Sequence, residues 1–271
     1  MNSLREELVL IPVEPPSLRQ REEDILLMKT VATYSHLTII HKDNLPVGTV
    51  VMLRSQNRLF ALTAAHCIHD MMAIHARIQQ GVYSILKSIN GEELLSLDIA
   101  ILELENNPAV TACDIRQLCT EPLLPFDPKR ESSTNMRRVW IVGFPVAMGK
   151  ISPNKQHYFA QPCAIGTNVI LADDRKLTLY YHSDTFRMDP GEVLFSTGKN
   201  PETPEGFSGG GVWSLEEPKP DELFNPIRHL KLHAIQYAWD PLSRKVFCVP
   251  SAVVKRLLLD HYPELKEEME Q

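Results

Sequence analysis

The chain has 271 residues, 44% of them apolar, and a formal net charge of −6. Its length supports a large core, in one compact unit or in two closely packed halves. No apolar run reaches the roughly 20 residues that span a bilayer, and an acidic chain with scattered Lys and Arg lacks the counterion-release term of nucleic-acid binding. Neither a membrane nor a nucleic acid is expected as a partner.

Residues 1–29 form a lead-in that is irregular over 1–19, with Pro12, Pro15 and Pro16. A possible helix follows over 20–32, its acids early where the helix dipole favours them. The only apolar stretch near the start is Leu8–Val13, and the basic start and small-residue cleavage site of a secretory signal are missing; a cytoplasmic location is expected. From Thr33 the chain turns to short runs rich in Val, Ile, Thr and Tyr, such as VGTVVML, RLFALTAA and LDIAILEL, with RSQN at 54–57 as a turn. This pattern places a first β unit over 30–110 and a polar, proline-bearing connector over 111–137. A second β unit follows over 138–249, including RRVWIVGF, KLTLYYH, EVLFST, GGVWSL and KLHAIQYA. Residues 250–271 are a C-terminal helix and tail. Pro250 suits a first helical position, Val253, Val254, Leu257 and Leu258 share a face, and Pro263 ends the helix or opens a frayed segment.

Five cysteines, an odd number without CxxC spacing, argue against a complete disulfide framework and against a cysteine zinc site. Ten histidines include His66 with His69 and His229 with His233, but no acid or thiol stands near them at ligand spacing, so neither metal nor cofactor is expected.

Three segments carry chemistry: Leu62-Thr63-Ala64-Ala65-His66-Cys67, Leu97-Asp98-Ile99-Ala100-Ile101-Leu102 and Gly206-Phe207-Ser208-Gly209-Gly210-Gly211. They supply a hydroxyl nucleophile, an imidazole base and an orienting carboxylate. A serine hydroxyl becomes a useful nucleophile only when a neighbouring base removes its proton. Each segment alone also reads as something plainer: a packed histidine, a turn aspartate, a glycine-rich turn. Gly206–Gly210 also satisfies G-x-S-x-G, but KNPETPEG before it is no buried strand and GGGVWSL after it is no helix, which is the wrong setting for a nucleophile elbow.

In the order His, Asp, Ser the three motifs resemble those of the chymotrypsin-like (trypsin-like) serine proteases. Val142-Gly143-Phe144-Pro145 resembles the start of the second barrel in the compact bacterial branch of that family. The resemblance covers roughly residues 30–262. It implies an all-β fold of two six-stranded antiparallel β-barrels with a C-terminal α-helix, and a serine endopeptidase acting through an acyl-enzyme intermediate. It further implies that Ser208 is the nucleophile, His66 the proton shuttle and Asp98 the group that orients His66, with the amides of Gly206 and Ser208 as oxyanion hole. Ala234–Trp239, and within it Ala234, Ile235, Gln236 and Tyr237, falls where the family pairs a strand with substrate backbone. Glu202 falls at the base of the side-chain pocket, where an acid favours Lys or Arg beside the cut; on the plainer reading it lies on an exposed loop.

Three departures from the family pattern stand out. No cysteine precedes Cys67, so the pairing of secreted relatives is missing and Cys67 is expected to be a free, buried thiol. Phe207 stands where zymogen-type relatives carry an Asp, which speaks against activation by N-terminal cleavage. Gly211 replaces the usual proline. The expected partners are a protein or peptide substrate and, in the alternative reading of a silent or latent protease-like module, a regulatory protein.

Overall fold

The computed structural model describes residues 30–31, 37–42, 45–68, 75–78, 81–89, 92–123, 139–146, 150–151, 158–159, 163–167, 169–181, 204–216 and 218–270. The expected helix over 20–32, apart from 30–31, and the expected strand EVLFST lie outside them.

The first sheet contains β1 (Leu37–Lys42), β2 (Leu45–Arg54), β3 (Leu59–Ala64), β4 (His75–Ile78), β5 (Gly81–Ile89), β6 (Ile99–Leu104) and β7 (Cys113–Asp114), with helix α1 (Glu92–Ser96) before β6. Its order is β1-β4-β5-β6-β3-β2-β7, and β1 also pairs with β2, so six strands close on themselves. The turn predicted at 54–57 joins β2 to β3, with Ser55 N donating to Arg58 O at 3.1 Å. β7 lies in the stretch expected to be connector, yet it extends the first sheet by parallel pairing of Leu53 with Cys113. Leu59 and Ala61 share a core with Met52 and Leu102, while Phe60 and Leu62 belong to a larger core that includes Trp140, Trp213 and Val254. The period-2 alternation of a strand therefore feeds two cores from one element.

The second sheet contains β8 (Val139–Gly143), β11 (Cys163–Thr167), β12 (Val169–Ala172), β13 (Leu177–Tyr180), β14 (Gly211–Leu215), β15 (Leu230–Asp240) and β16 (Lys245–Pro250). β9 (Lys150–Ile151) and β10 (Tyr158–Phe159) form a separate ribbon, and helix α2 (Pro226–His229) precedes β15. The order is β11-β8-β14-β15-β16-β13-β12, antiparallel throughout. The all-β expectation with a late helix is met, but the strand count is not: this sheet has seven described strands, and no described pairing closes β11 onto β12. Register shifts in β14, β15 and β12 bend the sheet into a half-barrel.

Helix α3 (Ser251–His261) starts directly after Pro250 and buries Val253, Val254, Leu257 and Leu258, the predicted face. Pro263 does not start a frayed tail. It opens a 3-10 turn, Pro263–Leu265, that runs into α4 (Lys266–Met269), and Leu265 and Met269 are buried. Tyr262 anchors this end to the first sheet. Its ring packs edge-on against Phe60 at 5.2 Å, its hydroxyl donates to Glu103 Oε2 at 2.8 Å, and the Arg58 guanidinium sits 4.8 Å above the ring centre. Arg58 also pairs with Glu103 and Glu264. The buried Glu103 carboxylate thus has two donors, as a buried charge requires.

Tyr262→Phe removes only the hydroxyl and should lower stability by about 1.5–3 kcal/mol, the range for a hydrogen bond to a charged group. Tyr262→Ala also removes the ring and should cost about 3–5 kcal/mol. Urea denaturation of the three proteins tests this; superimposable curves would mean that the C-terminal segment is held by other contacts.

Candidate active site

β3 and β6 are antiparallel neighbours in which Ala64 faces Ile99, so the end of one strand lies beside the start of the other. His66 sits in the 3-10 turn Ala65–Cys67 that leaves β3, and Asp98 immediately precedes β6. Asp98 has a positive φ of 52°, a left-handed conformation that aspartate tolerates better than most residues. In that conformation its carbonyl accepts from Ala65 N at 3.0 Å. Its carboxylate is used twice on one residue: Oδ1 accepts from His66 N at 2.9 Å and Oδ2 from His66 Nδ1 at 2.7 Å. A carboxylate only accepts, so Nδ1 carries the proton and Nε2 is the nitrogen whose protonation varies. The Asp98 bond raises the His66 pKa from 6.5 to about 10, with Cys67 adding in the same direction and partial burial opposing. The imidazole is half exposed.

Ser208 lies in the loop that enters β14, followed by strand rather than helix, which rules out the nucleophile-elbow reading. Its backbone is held from the opposite sheet: Thr49 N donates to Ser208 O at 2.7 Å, and Cys67 Sγ lies 3.8 Å from the same oxygen. The residue after His66 therefore lies against the Ser208 backbone. Among the described residues no hydrogen bond joins the Ser208 hydroxyl to the His66 ring; in unliganded sites such bonds commonly form only with substrate.

The two peptide groups whose N–H the family resemblance singles out are pinned from behind. Glu205 O accepts from Val146 N at 2.9 Å, and Phe207 O accepts from Gly210 N at 2.6 Å. In a trans peptide the N–H lies opposite its carbonyl, and among the described residues the N–H groups of Gly206 and Ser208 donate to nothing. Gly206 has φ 92° and Gly209 φ 86°; a Cβ at Gly209 would stand 2.0 Å from Thr49 O. Phe207 is fully buried among the core residues of the second sheet and lies against Gly143. Its aromatic ring anchors the loop in that core.

Of the strand residues assigned to substrate, Ala234 and Ile235 are paired on both sides, to Val212 and Gly211 in β14 and to Pro250 and Val249 in β16. Gln236 uses its N–H on Gly210 O and its carbonyl on Gly209 N, both at 2.8 Å. The β14–β15 register reaches Ile235, so Tyr237 lies beyond it. Glu202 and His69 lie outside the described residues. His229 caps its own short helix through Asn225 and stacks on Phe224, whereas His233 bonds Ser214 Oγ through Nε2 at 2.8 Å, so these two histidines serve separate local structures. All five cysteines are free thiols, and Cys67 is buried as expected.

One residue was missed in the sequence. Thr49 is fully buried and bonds to both the Ser208 loop and the exit of β8, with Oγ1 donating to Gly206 O at 2.8 Å and accepting from Phe144 N at 3.0 Å. Its one sequence signal is a hydroxyl in an otherwise apolar strand, VGTVVML.

No family model and no curated protein matches the chain. Solved structures do. Kallikrein-related peptidase 10 is 14% identical with a TM-score of 0.51, over 86% of this chain and 98% of that one. Neuropsin, a serine protease expressed in the limbic system of mouse brain, is 13% identical with a TM-score of 0.50, over 85% and 95%. A serine endoprotease from Yersinia pestis is 14% identical with a TM-score of 0.46, over 86% and 67%. The first two give the chain a chymotrypsin-like fold; its chemistry rests on its own residues.

His66 has a raised pKa when folded, so its pairing with Asp98 stabilises the protein fully below pH 6.5 and this contribution is lost as pH rises through about 10. In Asp98→Asn the NMR titration midpoint of the His66 ring should fall toward 6.5. An unchanged midpoint would mean that the carboxylate is not what holds the proton.

Proposed function

We propose that the chain is a serine endopeptidase with His66, Asp98 and Ser208 as its triad. The observation that carries this reading is the double use of the Asp98 carboxylate on His66, which orients the imidazole and fixes its Nδ1 proton. The Ser208 hydroxyl oxygen attacks the scissile carbonyl carbon as His66 Nε2 takes its proton. The carbonyl oxygen becomes an oxyanion and is met by the two amides, which are fixed before charge develops. Collapse breaks the C–N bond, the leaving amine takes the proton from His66, and an ester on Ser208 remains. Water then attacks the ester, gives its proton to His66, and Ser208 recovers its hydroxyl while the acid leaves. Substrate backbone adds along β15 from Tyr237, beyond its register with β14.

A second reading, a latent protease-like module, is favoured by one pair of observations. His66 holds its proton well above neutral pH, and its ring is not bonded to the Ser208 hydroxyl. In that reading a peptide or a regulatory protein draws the hydroxyl and the imidazole together before turnover. The free thiols suit a reducing, cytoplasmic setting for either reading.

A fluorophosphonate probe should label the wild-type chain, and both Ser208→Ala and His66→Ala should abolish labelling and peptide cleavage while leaving the circular dichroism unchanged. Asp98→Asn should lower turnover by about 10⁴, as the same change does in a well-characterised triad. Wild-type labelling that survives Ser208→Ala would discard the triad; labelling only after a partner is added would select the latent module.

A further inference from the structure

The Gly206–Phe207 peptide lies between the two amides assigned to the oxyanion, and both of its polar ends are held. Its carbonyl accepts from Thr49 Oγ1 at 2.8 Å, and its N–H donates to Pro204 O at 3.0 Å. Gly206, without a side chain and at φ 92°, meets little steric resistance to a peptide rotation. Hydrogen bonds are what resist it. Thr49 supplies the one that comes from the other sheet, across 157 residues of sequence.

All hydrogen-bonding groups of Thr49 are engaged. Its N–H donates to Ser208 O at 2.7 Å, its hydroxyl donates to Gly206 O and accepts from Phe144 N, and its carbonyl accepts from Thr63 Oγ1 at 2.8 Å. The backbone bond fixes the height of Ser208 in the cleft. The hydroxyl fixes the rotation of the loop around Gly206, and it uses a donor and an acceptor at once. Valine matches threonine in shape but can make neither bond, which would leave Phe144 N–H and Gly206 C=O unpaired inside the protein.

We propose that the Thr49 hydroxyl is a positioning group that keeps the Gly206 and Ser208 amides aimed at the cleft, tying oxyanion geometry to the seating of one sheet on the other. This rests on the endopeptidase reading for its catalytic consequence but not for its structural one, so two measurements separate them. In fluorophosphonate labelling, Thr49→Val should lower the maximal inactivation rate by about 10²-fold, the scale of a misplaced or lost oxyanion donor. The probe concentration at half-maximal rate should change less than about 3-fold, and Thr49→Ser should restore the rate. A role in folding alone would lower the melting temperature without this split. In hydrogen-exchange mass spectrometry, Thr49→Val should speed exchange in the fragment carrying Phe207, Gly209 and Gly210, and Thr49→Ser should not. Thr49→Ala gives the same comparison should the valine variant not fold. Faster exchange in a chain whose wild type never labels would uphold the positioning role and discard the endopeptidase. Unchanged exchange in Thr49→Val, or a labelling rate equal to that of a wild type that does label, would overturn the proposal.

Discussion

The junction between Thr49 and the loop 206–208 is the constraint on which the rest of the site depends. Ser208 belongs to the second sheet, but its carbonyl is held by a strand of the first. His66 and Asp98 belong wholly to the first sheet. Within the shared core that joins the two sheets, this junction ties the Ser208 loop itself to the first sheet. Thr49 is fully buried, which gives each bond more consequence, since an unpaired buried polar group is costly.

Around the junction the sequence keeps side chains small where backbones approach. A Cβ at Gly48 would lie 2.4 Å from Cys67 Sγ and 2.8 Å from Ser208 O, and one at Gly209 would fall on Thr49 O and Thr63 Oγ1. Cys67 fills the space beside Gly48 as an unpaired thiol, packed with Val50 and Ala64. A disulfide elsewhere in this fold could tie these segments covalently; here packing and the Thr49 bonds do so, together with Phe207 in the second core. The C-terminal segment adds a remote tie, since Tyr262 and Arg58 converge on Glu103 of β6, the strand that Asp98 precedes.

The His66–Asp98 pair follows from strand pairing. Motifs far apart in sequence meet because β3 and β6 run antiparallel with Ala64 opposite Ile99, and each motif residue stands just beyond the end of its strand. The left-handed turn at Asp98 then aims both carboxylate oxygens at a single residue. The pairing fixes the imidazole's orientation and retains its proton, and both bear on whether the unliganded chain rests active or latent.

The sequence by itself determined the β class, the late helix and the identity of the three motif residues, because each is written locally: period-2 runs, an apolar helical face, and short segments whose residue types are chemically distinctive. It also determined that the cysteines would not form a full disulfide framework. Tertiary structure alone decided that the second sheet has seven described strands, that Cys113–Asp114 joins the first sheet, and that the chain beyond Pro263 is packed. It decided too that Thr49 holds the Ser208 loop. These features depend on which backbone groups remain unpaired after distant segments have met, and a residue's type records nothing about the partner its N–H or C=O will find.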